Sequence, residues 1–172
     1  MITDLQSFMR EAESATRTFN MWAGSLKPRA VADHLCYKST DAEEFARIRA
    51  FFETDGSYLY QSWISGRRIA VIRLPDPIAT PLGSIGFLEL SDQKPDASQK
   101  SGFDHVEIHP LPGSATSASE RLALWCTARG TSFTKADRPH HVTYDAVLDD
   151  GLKIRIEPER LVDKIMRDEM GN

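Results

Sequence analysis

The sequence predicts an α+β protein in which two consecutive βαβββ modules follow an N-terminal helical extension. One strand, one helix and three further strands can be read twice along the chain, which indicates an internal repeat. A polar stretch with no apolar pattern, residues 93–102, separates the two copies as a linker. Each copy also carries one histidine and one glutamate at nearly the same separation, namely His34 and Glu89, then His105 and Glu157. We expect these parts to form one compact domain.

The composition excludes several classes of partner. Of the 172 residues, 41% are hydrophobic and 27% are charged, and the net charge is −4, as in an ordinary soluble protein. Lysine and arginine are not clustered, so we predict no nucleic-acid partner. No apolar run approaches the ~20 residues that span a bilayer, and the first residues lack a signal-peptide pattern. We therefore expect no membrane partner and a cytoplasmic location, where Cys36 and Cys126 would stay free thiols.

Residues 1–28 form the predicted N-terminal extension, either as one helix or as a helix pair. Thr3 or Asp4 can cap its first turn, and Gly24 and Pro28 are expected to end it. Its apolar residues recur at helical spacing, and they are Leu5, Phe8, Met9, Ala12, Phe19 and Trp22.

The first module is assigned to residues 29–92. Ser65 and Gly66 are predicted to form a tight hairpin turn between its second and third strands. The predicted elements of this module are a strand at 32–38, a helix at 41–54, and strands at 58–64, 67–74 and 84–90.

The second module is assigned to residues 103–160 and repeats the same order. Gly130 is predicted to stop its helix as a C-terminal cap. Residues 161–172 form a C-terminal tail that is predicted to be helical. The predicted elements of this module are a strand at 103–109, a helix at 117–129, and strands at 131–134, 142–148 and 152–157.

Strand alternation predicts which side chains share a face of the sheet. The apolar residues of each strand should face the helix of their module. His34, Glu89, His105 and Glu157 all fall on the opposite face, and we expect the two modules to cover each other with these faces around one cavity. Two imidazoles and two carboxylates form a mixed nitrogen and oxygen ligand set. Such a set suits one divalent metal ion, and Zn, Ni, Mn, Co or Fe would fit.

Further polar residues share this face or lie close to it in the sequence. Glu107 and His109 follow His105 on the same face. They could be hydrogen-bond partners of the ligands, one of them could be a base, or both could lie at the rim of the cavity. His140 and His141 are expected at a surface turn, although alternation puts His141 on the cavity side.

Four cations are also predicted near the cavity, and they favour an anionic substrate. Lys38, Lys153 and Arg155 lie on the cavity side by alternation, and Arg67 follows the hairpin turn. Arginine in particular can hold a carboxylate or phosphate with two hydrogen bonds. The other interpretation is that these side chains simply extend into solvent. Our candidates for substrate binding are Lys38, Arg67, Glu107 and Arg155.

Four short segments occur in a characteristic order along the chain, namely Asp33-His34-Leu35, Ser65-Gly66-Arg67-Arg68-Ile69, Phe87-Leu88-Glu89-Leu90 and Asp104-His105-Val106-Glu107-Ile108. Together they resemble the vicinal oxygen chelate superfamily, and more closely its YecM-like branch. The resemblance covers residues 30–160 and implies a glyoxalase-like fold and a small metal-binding protein.

The resemblance also implies a type of chemistry. In this superfamily the metal binds two oxygens of the substrate and stabilises the enolate or oxyanion that forms. A lyase or isomerase acting on a small, oxygen-rich substrate is therefore implied. Glu89 or Glu157 would then be both a ligand and the base that moves a proton.

Two alternatives remain open at this point. The same fold can hold a small molecule without turnover, which would make the chain a binding protein. An iron-dependent dioxygenase could use His34, His105 and Glu157 as its triad, although Glu89 would then occupy a position needed for oxygen or substrate. The sequence also leaves open whether the chain forms a homodimer.

Overall fold

A computed structural model describes residues 2–54, 57, 59–64, 66–111, 118–138 and 142–170. Two helices form the N-terminal extension, α1 (Leu5–Ala15) and α2 (Arg17–Leu26). The first module contains β1 (Ala30–Lys38), α3 (Ala42–Glu53), β2 (Leu59–Ile64), β3 (Arg67–Thr80) and β4 (Gly83–Ser91). The second contains β5 (Gly102–Pro110), α4 (Ala118–Thr127), β6 (Thr134–Asp137), β7 (Val142–Val147) and β8 (Lys153–Ile156), and α5 (Leu161–Met170) follows it.

The order of elements confirms the predicted α+β fold, because βαβββ occurs twice after the helical extension. The eight strands form one sheet in the order β2-β3-β4-β1-β5-β8-β7-β6. Our expectation that two separate sheets would cover each other is therefore wrong. The two modules instead join edge to edge, because β1 and β5 pair antiparallel and satisfy each other's backbone hydrogen bonds. This pairing brings the first strands of both modules side by side at the centre of the sheet.

Polar side chains cap two of the helices. Asp4 accepts a hydrogen bond from the backbone N–H of Ser7 at 2.7 Å, and the Ser7 hydroxyl accepts one from the N–H of Asp4. This reciprocal arrangement is a capping box for α1. Asp41 caps α3 by accepting a hydrogen bond from the N–H of Glu44 at 2.8 Å.

The end of the helical extension differs from the prediction. Gly24 does not end α2, which continues to Leu26 and stops at Lys27. Lys27 adopts a left-handed conformation with φ 49°, and its N–H still donates to the carbonyl of Ala23. A single glycine lowers the stability of a helix but does not end one that is packed against the core. The helix therefore continues past Gly24 and ends just before Pro28. None of the described helices combines the length and apolar character needed to cross a bilayer.

β3 and β6 differ most from their predicted bounds. β3 runs to Thr80, past two prolines, and its pairing with β4 shifts register between Arg73 and Ile78. β6 begins only at Thr134, because the turn after α4 uses the preceding residues, with the N–H of Thr131 bonded to the carbonyl of Cys126. The predictions for Ser65, His140 and His141 fall outside the described residues.

The helices cover one face of the sheet, as the alternation predicts. The sheet residues on that face are buried and pack against apolar residues of α1, α2, α3 and α4. The other face is left for the polar side chains. The core includes Leu35, Leu88, Leu90, Val106, Ile108, Ile154 and Ile156 from the sheet, and Phe8, Phe19, Phe45, Ile48, Phe52 and Leu122 from the helices.

Candidate metal centre

An Asp-His pair occupies the same place in the first strand of both modules. The register of β1 against β5 skips Asp33 in one strand and Asp104 in the other, so each aspartate sits at a β-bulge beside its histidine. Nδ1 of His34 lies 3.1 Å from a carboxylate oxygen of Asp33, and Nδ1 of His105 lies 2.9 Å from Asp104. A carboxylate can only accept, so Nδ1 donates in both pairs. Nε2 is then the ring atom left for another partner.

Nε2 of His34 has no such partner among the described residues. The atom is buried and forms no hydrogen bond within that part of the chain. Its nearest acidic atom is Oε2 of Glu89, at 3.8 Å. The ring of His105 lies 6.0 Å away between centroids. A buried polar atom without a partner is costly, and it commonly indicates a role in binding.

Strand register brings five potential metal ligands together on the polar face. Cys36 lies opposite Glu89 on β4 and opposite His105 on β5, while His34 lies opposite Glu107. Two groups of three have their ligand atoms within 4.8 Å of one another: His34, His105 and Glu107, and Cys36, Glu89 and His105. The two groups share His105. We refer to these five residues as the ligand cluster.

Glu107 was predicted to bind substrate or to lie at the rim of the cavity, but it lies inside the ligand cluster. It is buried, and one of its carboxylate oxygens is 3.7 Å from Nδ1 of His34. Burial, reinforced by the neighbouring Glu157, raises the pKa of Glu107 to about 8. Its carboxyl group nevertheless belongs, with His34 and His105, to one of the two groups of potential ligands.

Glu157, a predicted ligand and base, belongs to neither group of three among the described residues. It follows the end of β8 and is buried, and its carboxylate accepts a hydrogen bond from Nζ of Lys164 on α5 at 2.8 Å. Burial opposes a charged lysine, but Glu157 and Glu107 together raise the pKa of Lys164. The C-terminal helix therefore supplies a counter-charge to this end of the face.

The two histidines have opposite electrostatic surroundings. Although burial opposes a charged ring, Glu107, Asp33 and Glu89 together raise the pKa of His34 to about 9. Burial lowers the pKa of His105, and the guanidinium of Arg155 lowers it further. The surroundings of His34 thus favour the charged form of its ring, while those of His105 favour the neutral form.

The cations predicted near the cavity each contact a protein group. Lys38 and Lys153 both donate to Asp104, at 2.8 and 3.0 Å. Arg155 forms two hydrogen bonds of 2.9 Å with Asp145. Its remaining terminal nitrogen, Nη1, lies 3.4 Å from Nε2 of His105. These cations balance carboxylates at the margin of the ligand cluster.

Arg67 lies at the start of β3, away from the centre of the cluster. Its Nε donates to the hydroxyl of Ser91 at 2.9 Å. Ser91 lies opposite Lys38 in the strand register, so Arg67 belongs to the same end of the polar face as Lys38.

Sequence reasoning did not assign Asp33, Asp104 or Cys36 to the site. The repeated Asp-His dipeptide was a visible signal for the two aspartates. Cys36 follows His34 by two residues and therefore shares its face.

Comparison with known proteins identifies the family. A model of the YecM protein family matches residues 1–162. The chain belongs to the YecM protein family. Protein YecM of Escherichia coli strain K12 is 26% identical over 133 residues, which cover 76% of this chain and 66% of that protein. The match to this curated relative of the YecM family thus spans just under two thirds of its length.

Solved structures similar to this YecM-family chain support the glyoxalase-like α+β fold. A structural-genomics protein, EC4020, has a TM-score of 0.70 at 22% identity, with 98% of each chain covered. A hydroxyglutarate synthase from Oryza sativa in complex with 2-oxoadipate has a TM-score of 0.53 at 9% identity, with 96% of this chain and 85% of that chain covered. At these identities the likeness shows the fold alone.

Proposed function

We propose that this YecM-family chain binds one divalent metal ion between His34 and His105 and uses it to act on a small oxygen-rich molecule. The observation that carries the proposal is the buried Nε2 atom of His34, which lacks a hydrogen bond among the described residues and lies 3.8 Å from Oε2 of Glu89. His34 also forms a group of three potential ligands with His105 and Glu107, whose ligand atoms lie within 4.8 Å of one another. Asp33 and Asp104 support the same proposal, because metal-bound histidines commonly donate their other ring N–H to a carboxylate.

The residues present fit such an ion. Two imidazole nitrogens and two carboxylates are ligands that Zn, Ni, Mn, Co or Fe accept. Glu89, Glu107 and Glu157 bring three carboxylates to one buried region, where like charges repel strongly. The groups that favour a positive charge on His34 would equally favour a metal cation in that place. We propose Glu107 as the ligand in the position that the sequence suggested for Glu157.

The exposure of Glu89 makes it the better candidate for the base. Its side chain is 22% exposed, whereas that of Glu157 is 6% exposed and is paired with Lys164. A bound ion would supply a Lewis acid for a substrate that offers two neighbouring oxygens. Glu89 could then take a proton from that substrate at the accessible side of the cluster. This assignment corresponds to lyase or isomerase chemistry.

We propose that Arg155 orients an anionic substrate. Two of its nitrogens are fixed by Asp145, and only Nη1 is directed to His105. Once Nε2 of His105 binds a cation, it no longer accepts a hydrogen bond, so Nη1 would be released to donate to a substrate oxygen. We propose 2-oxo acids as the first substrates to test. They carry a negative charge beside a carbonyl oxygen, and the structurally similar synthase holds 2-oxoadipate.

Metal analysis of chelator-free protein, before and after loading with each of the five ions, tests the proposal. We expect one ion per chain, and we expect His34→Ala and Glu107→Gln to lower the affinity strongly. Glu157→Gln should bind nearly as well as the wild type. His109→Ala is a matched control: Nε2 of His109 is also buried without a hydrogen bond among the described residues, yet His109 belongs to neither ligand group.

The outcome also separates the alternatives. Stoichiometry well below one ion per chain after loading would overturn the metal proposal and favour a binding protein without a metal. Oxygen consumption during a substrate screen would replace lyase or isomerase chemistry with a dioxygenase reaction. Binding of a 2-oxo acid without turnover by the metal-loaded chain would indicate a metal-dependent binding protein.

A further inference from the structure

We propose that Cys36 binds the same metal ion as a thiolate, so that the site selects ions with an affinity for sulfur, above all Zn²⁺ and Co²⁺. The inference rests on the proposed metal function and adds a ligand of a different chemical type. Sulfur is a softer donor than carboxylate or imidazole, so a thiolate ligand increases the preference of the site for Zn²⁺ and Co²⁺ over Mn²⁺.

The position of Cys36 between two potential ligands is the first argument for this inference. It lies on β1, a central strand, between Glu89 on one neighbouring strand and His105 on the other. Its Sγ is 3.2 Å from Oε1 of Glu89, and the three ligand atoms lie within 4.8 Å of one another. Donor atoms bound to one zinc ion, at about 2.0–2.3 Å each, are themselves about 3–4 Å apart. Small side-chain adjustments would therefore place all three around one ion.

The burial of Cys36 among polar side chains is the second argument. The residue is 1% exposed, yet it is not part of the hydrophobic core, to which its strand neighbours Leu35 and Tyr37 contribute. The other cysteine, Cys126 on α4, does belong to that core. Cys36 is thus buried on the polar face, among potential ligands, where an apolar residue of similar size would serve packing equally well.

A second observation points to a bound ion at this place. Nε2 of His34 is buried, without a hydrogen bond in the described part of the chain, and it lies 3.8 Å from Oε2 of Glu89. Glu89 therefore lies between the Cys36 thiol and this nitrogen. Together with Glu107, which is proposed above as a ligand, an ion held by Cys36, His105, Glu89 and His34 would have one sulfur, two nitrogen and two oxygen ligands, all donor types that zinc accepts.

Thiolate binding requires one proton transfer and no oxidant. The S–H bond of Cys36 breaks, sulfur keeps the electron pair and forms the bond to the metal, and Glu89 takes the proton. Glu89 already accepts the hydrogen bond from that thiol, and its partly exposed side chain can pass the proton to solvent.

The test is the absorption spectrum of protein loaded with Co²⁺, because a thiolate ligand adds a near-ultraviolet charge-transfer band that nitrogen and oxygen ligands do not give. Cys126→Ser leaves Cys36 as the single thiol of the chain. We expect the band in the wild type and in Cys126→Ser, and its loss in Cys36→Ser with Co²⁺ still bound. Cys126→Ser alone assigns the band even if Cys36→Ser does not fold.

The outcomes separate this inference from the proposed function. If Co²⁺ binds at one ion per chain without the charge-transfer band, Cys36 is not a ligand and the inference is overturned, while the metal site stands. A band that survives in folded Cys36→Ser would overturn it as well. If no ion binds at all, the proposed function fails, and the inference fails with it.

Discussion

Asp104 accepts a hydrogen bond from Nδ1 of His105 across 2.9 Å, and a bulge in β5 holds the two side chains in this relation. The first module repeats the arrangement with Asp33 and His34 at 3.1 Å. The two aspartates differ in what else they bind. Asp104 also binds two lysines, whereas Asp33 binds the start of α5. Each half of the repeat thus fixes its histidine to a different part of the molecule.

Asp104→Ala should weaken metal binding by roughly 10- to 100-fold, the usual effect of removing a carboxylate behind a metal-bound histidine. In this variant Nδ1 of His105 loses its acceptor, so the ring is no longer held in the orientation and tautomer that leave Nε2 as the atom to bind the metal. Isothermal titration with Zn²⁺ measures the change. Asp92→Ala is the matched control, because Asp92 pairs with Arg68 at 2.7 Å outside the ligand cluster. Equal affinities for the two variants would contradict this role of Asp104.

Asp33→Ala should destabilise the docking of α5. The buried Asp33 carboxylate accepts hydrogen bonds from the backbone N–H of Leu161 at 2.9 Å, from Arg160 and from His34. Loss of a helix cap and of a buried charged hydrogen bond should lower the free energy of unfolding by about 2–4 kcal/mol. Urea denaturation measures this change, and hydrogen exchange should show faster exchange in α5. The exposed Asp163 of α5 gives the control, Asp163→Asn, for which we expect a change below ~0.5 kcal/mol.

Lys164 and Glu157 should show a measurable coupling energy. Their charged atoms are 2.8 Å apart, and Glu157 is buried. Lys164→Met should lower the free energy of unfolding by about 1–3 kcal/mol, reduced from the value for a fully buried pair because Lys164 is partly exposed. Adding Glu157→Gln should restore part of the loss. A double-mutant cycle with no coupling would show that the pair is not the structural contact described above.

Ile48→Ala should cost about 2–5 kcal/mol of unfolding free energy, because Ile48 on α3 is fully buried in the core beneath the sheet. The number of ions bound per chain should not change, since the core and the ligand cluster lie on opposite faces. Urea denaturation and metal analysis of the same preparation check both statements. A cost below about 1 kcal/mol would contradict the packing of α3 on the sheet.

The sequence predicted the repeat and the division of each strand into two faces, because alternation is a local property that His34 and Leu35 already display. It could not predict that the modules join through β1 and β5. Strands pair through backbone hydrogen bonds, which nearly every residue type can form. The sequence of side chains therefore does not show which strand edge will pair with which. The edge-to-edge joining is nevertheless what places His34 opposite Glu107.

The choice among the glutamates also depended on contacts beyond the repeat. Glu157 matched Glu89 in spacing, but Lys164 on α5 lies against it, and that helix has no counterpart in the first module. Glu107 looked like a rim residue until the pairing of β1 with β5 set it beside His34. Equal spacing indicated the part of the sheet where the ligand cluster lies, while the pairing of distant strands determined which carboxylates lie near the histidines.

The central claim is tested most directly by counting the metal ions bound per chain. The count is made for the wild type, His34→Ala and His109→Ala, after each protein is loaded in turn with Zn²⁺, Ni²⁺, Mn²⁺, Co²⁺ or Fe²⁺. The proposed metal centre predicts one ion per chain in the wild type and in His109→Ala for at least one of these metals, and loss of that ion in folded His34→Ala. Wild-type protein that retains none of the five, or His34→Ala that binds as tightly as the wild type, would contradict the metal centre proposed here.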